Sequence, residues 1–285
     1  MTEFTHETAP TQFVEANGIR FAYRRFGRTG GVPIVCNQHF IGTLDHWDPA
    51  VTDGLAKTRE VILFDNAGVA ASSGETPSSF EAMAANAVAF IGALGITRTD
   101  IMGFSIGGMV AQEIVVHAPD LVRKLILVGT GPRGADMTTS QSSAIFGAIY
   151  DPPERLWLKA LFAPSDPSQR AGMAFLERRL HRADRDPPVS QEATDAQLAA
   201  LGKYVAGGGQ PGRLDYLKSM RQPTLVVQGS TDVIIPTYCS WVLQQTLPDA
   251  RLIIYPDSNH ASFYQYPDLF VAEATLFLEE PDRPL

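Results

Sequence analysis

Cysteine is scarce in this chain. Only Cys36 and Cys239 occur in 285 residues, far apart and in no Cys-x-x-Cys pair. That scarcity excludes a disulfide-dense secreted scaffold and a cysteine zinc site, and leaves packing as the expected role of both. Positive charge is short as well: 23 Lys and Arg stand against 31 Asp and Glu, for a formal net charge of −8. A broad phosphate-binding surface needs an excess of Lys and Arg, so nucleic acid is not an expected partner. Long apolar runs are missing too. The most apolar stretch, residues 82–96, is interrupted by Asn86, Gly92 and Gly95. It falls short of the roughly 18 to 20 residues that span a bilayer and reads as a buried helix, so no membrane partner is expected. Residues 1–7 carry acids where a signal peptide carries bases, with no apolar segment after them; the expectation is a cytoplasmic protein.

What is present is apolar content, 45% against 19% charged. A chain of this length builds one sizeable core, best read as one domain with a large insertion. Residues 13–26 alternate loosely around Asn17-Gly18, a strong signal for a β-hairpin. Short continuous apolar runs follow at 33–36, 61–64, 101–104, 125–128, 224–227 and 251–255. Continuity rather than alternation suits strands covered on both faces, hence a mostly parallel sheet between helices. Helical patterns at 48–57, 79–94, 106–117, 238–246 and 267–279 separate or follow these strands, giving an α/β class. Between Gly129 and Leu217 no strand pattern occurs, and helical pieces are divided by proline and glycine clusters. The expected division is a core of residues 1–133 and 218–285 and a helical cap insertion of 134–217.

Ser105 stands where an apolar strand stops and a helical segment starts, in Gly103-Phe104-Ser105-Ile106-Gly107. A serine lifted from a sheet on a tight turn needs small neighbours so that strand and helix can approach closely. The helix that follows aims its N-terminal dipole at the serine. At neutral pH such a hydroxyl needs a base, and the base needs an acid to orient it. Of six histidines, His6 lies in a terminus expected to be ragged, His117 ends the helix beyond the elbow, and His181 lies in an Arg-rich, solvated part of the insertion. His39 and His46 precede the nucleophile. Only His260 follows the last strand, and it is the expected base. The acid is Asp232, after the strand of residues 224–227 and 28 positions before His260; Asp257 is too near His260 along the chain to be preferred.

Over nearly its full length the chain resembles the α/β-hydrolase superfamily, most closely its capped esterase, haloperoxidase-like and C–C hydrolase branches. The resemblance rests on Gly103-Phe104-Ser105-Ile106-Gly107-Gly108, Gly229-Ser230-Thr231-Asp232 and Ser258-Asn259-His260. It implies an α/β-hydrolase fold, attack by Ser105, proton transfer by His260 and stabilisation of the imidazolium by Asp232. The family's oxyanion loop usually reads His-Gly-x after a strand, whereas this chain has Asn37-Gln38-His39-Phe40. By that alignment the backbone amides of Phe40 and Ile106 form the oxyanion hole. Gln38 and His39 become candidate substrate-binding residues, with His39 expected to donate to a substrate carbonyl or carboxylate. The segment of residues 64–70 also departs from the family's Asp-x-Arg-Gly-x-Gly and is expected only to shape its loop.

Gly129-Thr130-Gly131-Pro132-Arg133-Gly134 matches a dinucleotide-binding pattern, but Pro132 and the lack of a clean helix make it an exit loop. No metal or cofactor site is read. Of the cap aromatics Phe146, Tyr150, Trp157, Phe162, Phe175 and Tyr204, some should roof Ser105, with Trp157 the candidate substrate contact. An apolar roof favours a small-molecule substrate with a hydrophobic or aromatic part. The leading function is a serine hydrolase of an ester, thioester or lactone. The same triad would also serve C–C cleavage of a β-diketone-like substrate or perhydrolysis, and the fold can carry a non-catalytic ligand receptor. Homo-oligomerisation is left open.

Overall fold

The computed structural model describes residues 4–137, 153–206 and 208–282. It opens with a hairpin of β1 (Gln12–Ala16) and β2 (Ile19–Gly27), joined by Asn17 at φ 50° and Gly18 at φ 76°. Two positive φ angles in a two-residue loop match the twist of the strands they join. Six further strands follow: β3 (Ile34–Asn37), β4 (Glu60–Phe64), β5 (Thr99–Phe104), β6 (Val122–Val128), β7 (Thr224–Gly229) and β8 (Ala250–Tyr255). They form one sheet of order β1-β2-β4-β3-β5-β6-β7-β8. Pairing is antiparallel as far as β2 with β4, and parallel from there on.

Helices cover both faces, which is why the central strands are apolar throughout: β4, β5 and β7 are buried at every position. On one face lie α1 (Pro49–Ala56) and the C-terminal helix, with Val51, Leu55, Phe270 and Phe277 in one core cluster. On the other lie α2 (Phe80–Ala93) and α3 (Ile106–His117), with Phe80, Phe90, Met109 and Ile114 in a second cluster. Because β3 leads to α1 and β5 to α3, the loops leaving these adjacent strands diverge to opposite faces. The crevice between such loops, at the carboxyl ends of the strands, is where open α/β sheets hold their ligands.

Between β6 and β7 the described residues contain no strand. They hold α4 (Pro153–Leu161), α5 (Asp166–Arg179), α6 (Gln191–Val205) and α7 (Asp215–Ser219), the last running across residue 217. Ser165 and Ser190 cap α5 and α6 through their hydroxyls. After β7 come α8 (Thr237–Thr246), α9 (Ser262–Gln265) and α10 (Pro267–Glu279). Phe146 and Tyr150 lie outside the described residues. Cys36 and Cys239 are buried and unpaired, and among the described residues no helix is long and apolar enough to cross a membrane.

The N-terminal segment departs from expectation. His6 is buried rather than ragged: its amide donates to Asp53 Oδ1 at 2.7 Å and its Nδ1 lies 2.9 Å from Thr52 Oγ1. Arg182, between α5 and α6, donates to the carbonyls of Glu7 and Ala9, tying the segment to the insertion. Satisfying those backbone groups with a buried guanidinium is what lets the terminus order.

Candidate active site

Ser105 adopts φ 57° and ψ −122° between β5 and α3, a conformation few non-glycine residues tolerate. Its amide donates to Val128 O at 2.9 Å, while its carbonyl accepts from Gly108 N at 2.9 Å and Thr130 Oγ1 at 2.8 Å. The flanking glycines are required by contact. A Cβ on Gly103 would lie 2.3 Å from Gly107 O, and one on Gly107 would lie 2.1 Å from Asn37 O. Both obstacles are backbone, so they cannot swing aside.

Asp232 follows β7 by three residues. Its Oδ1 accepts from the amides of Ile234 and Ile235 at 2.8 and 2.9 Å, and its Oδ2 from His260 Nδ1 at 2.8 Å. The two side chains are 0% and 4% exposed. The loops carrying them are joined by Val233 N donating to Asn259 Oδ1 at 2.7 Å. Because the carboxylate accepts, the proton sits on His260 Nδ1 and its Nε2 carries the ring's lone pair. Asp257 faces elsewhere: it is exposed and accepts from Ser165 Oγ at 2.6 Å.

Ser105 and His260 line one cavity of about 100 Å³ with His39, Phe40, Ile106 and Trp157. Asp232 stands behind His260 and does not reach the wall. Ile106 is the first residue of α3, so its N–H has no acceptor within the helix. Much of the remaining wall is aliphatic, including Met109, Leu156, Leu161 and Ile235. These went unnoticed in the sequence, where nothing separates a cavity-facing leucine from a core leucine. Of the insertion's described aromatics Trp157 alone lines the cavity. Phe162 and Phe175 pack against each other at 5.8 Å, and Tyr204 packs on Phe80 at 5.2 Å.

The loop after β3 corrects two expectations. Gln38 turns back into its own loop, where Oε1 accepts from His39 N at 2.8 Å and Nε2 donates to Thr43 O at 3.3 Å, so its side chain is not on the cavity wall. His39 does line the cavity, but its Nδ1–H donates to Phe40 O at 2.7 Å. The remaining Nε2 therefore accepts rather than donates. Burial pushes the His39 pKa down to about 3, so the ring stays neutral. Ile41 closes the turn at φ 52° and donates its amide to Gln197 Oε1 of α6 at 2.8 Å. No local sequence signal points to that partner.

Asp65 braces its surroundings by accepting from Leu44 N at 2.9 Å and Ala71 N at 3.4 Å. Residues 129–134 form a loop with Gly134 N donating to Tyr204 O at 2.8 Å, with no helix among the described residues that follow directly.

The chain belongs to the alpha/beta hydrolase fold family, which matches residues 32–267. A solved alpha/beta hydrolase fold protein from Chitinophaga pinensis shares 44% identity and a TM-score of 0.91, covering 98% of this chain and 100% of that one. A pimeloyl-acyl-carrier-protein methyl ester esterase of Nitrosomonas europaea is 29% identical over 184 residues, 61% of this chain and 69% of its own length. The solved structure of an N-acyl homoserine lactone degrading enzyme is 25% identical with a TM-score of 0.75, covering 93% of this chain and 100% of that one. Membership of this family supports hydrolase activity.

Proposed function

We propose that the protein is a serine hydrolase of carboxylic esters, thioesters or lactones, acting through Ser105, His260 and Asp232 and a covalent acyl-enzyme. The observation that carries this reading is the 2.8 Å bond from His260 Nδ1 to Asp232 Oδ2, set beside the strained turn of Ser105 on one cavity wall. His260 Nε2 removes the hydroxyl proton as Ser105 attacks the carbonyl carbon. Asp232, held by two amides, stabilises the imidazolium. The backbone amides of Phe40 and Ile106 stabilise the oxyanion, aided by the N-terminal dipole of α3. His260 then protonates the leaving alcohol or thiol, and water repeats the sequence on the acyl-enzyme. These steps need no metal or organic cofactor.

Relatives named for a methyl ester and for a lactone support this substrate class. The aliphatic wall and Trp157 suit an acyl group with a hydrophobic or aromatic part. The test is hydrolysis of p-nitrophenyl acetate and butyrate by the wild type and by Ser105→Ala. The reading expects turnover by the wild type and a loss of at least about 10³-fold in the variant. Equal rates in both proteins would overturn it. Acid release from a β-diketone, but from no ester, would move the same residues to C–C cleavage.

A further inference from the structure

The loop after β3 places a buried histidine at the mouth of the elbow. His39 is 8% exposed and shares the cavity wall with Ser105 and His260. Its ring is held on three sides: Nδ1–H on Phe40 O at 2.7 Å, the Phe104 ring edge-on at 5.2 Å and the Trp157 ring edge-on at 4.9 Å. A carbonyl oxygen only accepts, so the proton is on Nδ1 and Nε2 presents a bare lone pair. That Nε2 is buried and has no hydrogen-bond partner. The other imidazole nearby, His46, is engaged through Nδ1 with Thr43 N at 2.7 Å. Apolar rings pack two sides of His39, so a phenylalanine would fill the same space without a buried acceptor to satisfy. An unpartnered acceptor tied to its loop on the opposite ring edge, on the wall that carries Ser105, is suited to a group brought by the substrate.

We infer that His39 selects substrates bearing a hydrogen-bond donor, a hydroxyl or amide N–H, close to the carbonyl that Ser105 attacks. The inference rests on the serine-hydrolase reading and narrows it to hydroxyacyl and acylaminoacyl esters or lactones. Because the ring is a neutral acceptor, it repels a carboxylate at that point and leaves an unsubstituted acyl chain without a partner for Nε2. Sites that hydrogen-bond a substrate group discriminate against the analogue lacking it, because their own polar atom is then left buried and unpaired.

Two ester pairs test this. Phenyl 2-hydroxybutanoate is compared with phenyl butanoate, and the phenyl ester of N-acetylglycine with phenyl 4-oxopentanoate, in which a methylene replaces the N–H. Each kcat/KM is divided by the ester's rate with hydroxide, which removes intrinsic reactivity. The wild type should prefer the donor-bearing member of at least one pair by about tenfold or more. His39→Phe should bring that ratio to within about twofold of one, with His39→Leu as the alternative should the first variant not fold. His39→Gln, which retains an acceptor, should keep part of the preference. A merely structural role would change both members of a pair alike. No preference in the wild type, or one that survives in His39→Phe or His39→Leu, overturns the inference while leaving the serine mechanism intact. Failure of all four esters together with failure of a fluorophosphonate to label Ser105 would instead overturn the mechanism, and the inference with it.

Discussion

Ile41 donates its backbone N–H to Gln197 Oε1 at 2.8 Å, tying the loop beside the elbow to α6 across 156 positions of sequence. Ile41 holds φ 52°, a conformation that costs a β-branched residue roughly 1–3 kcal/mol. The bond helps offset that strain and fixes the turn that carries Phe40. Gln197→Leu should therefore lower stability by about 1 kcal/mol and kcat/KM by roughly threefold to tenfold. Urea unfolding and ester kinetics on the same sample check both; unchanged kinetics would show that the loop holds its shape without α6.

Gly107 and Gly92 make opposite predictions for one substitution. A Cβ on Gly107 would lie 2.1 Å from Asn37 O, whereas one on Gly92, exposed in α2, meets nothing within 4 Å. Gly107→Ala should destabilise by about 3 kcal/mol or more, since strand and helix must separate. Gly92→Ala should stabilise by about 0.5–1 kcal/mol. Thermal melts of the two variants beside the wild type decide this.

Burial lowers the pKa of His6 to about 3 from an ordinary 6.5, with Arg24 adding to the shift. The folded protein thus keeps His6 neutral where the unfolded chain protonates it. The stability contribution is whole above pH 6.5 and is lost as pH falls from 6.5 toward 3. Between pH 7.5 and 5.0 the wild type should lose about 2 kcal/mol more than His6→Gln, at about 1.4 kcal/mol per pH unit below 6.5. Parallel pH profiles in urea would contradict the assignment.

Trp157 and Ile41 line both the cavity shared by Ser105 and His260 and a second cleft of about 450 Å³. The indole is packed beneath Arg179, whose guanidinium carbon lies 4.4 Å from the ring, and against His46 at 4.5 Å. Trp157→Ala should join the two spaces and raise kcat/KM for p-nitrophenyl octanoate relative to the acetate by about tenfold or more. It should also cost about 3 kcal/mol of stability. An unaltered chain-length preference would place the acyl group elsewhere.

The fold was legible where local chemistry and global architecture agree. Asn17-Gly18 marked the hairpin, the apolar runs marked strands covered on both faces, and Gly103 and Gly107 marked a close approach of strand and helix. Chain order brought out Asp232 and His260, which the structure joins at 2.8 Å. Long-range hydrogen bonding was not legible. Nothing near residue 39 says which ring nitrogen faces its own carbonyl, so the donor expected of His39 is an acceptor. Gln197 and Arg182 reach partners more than 150 positions away, and a terminus rich in polar residues gave no sign that His6 would be buried. Apolar wall residues such as Leu156 and Ile235 share their pattern with the core, so the cavity's shape had to come from tertiary packing.

The central claim, that Ser105 is a nucleophile activated by His260, is tested most directly by intact-protein mass spectrometry after exposure to a fluorophosphonate at neutral pH. The account predicts one phosphonyl adduct on the wild type, located to Ser105 by peptide mapping. It predicts none on Ser105→Ala and slowing by at least about 10²-fold in His260→Ala. No adduct on the folded wild type, or one that persists in Ser105→Ala, would contradict it.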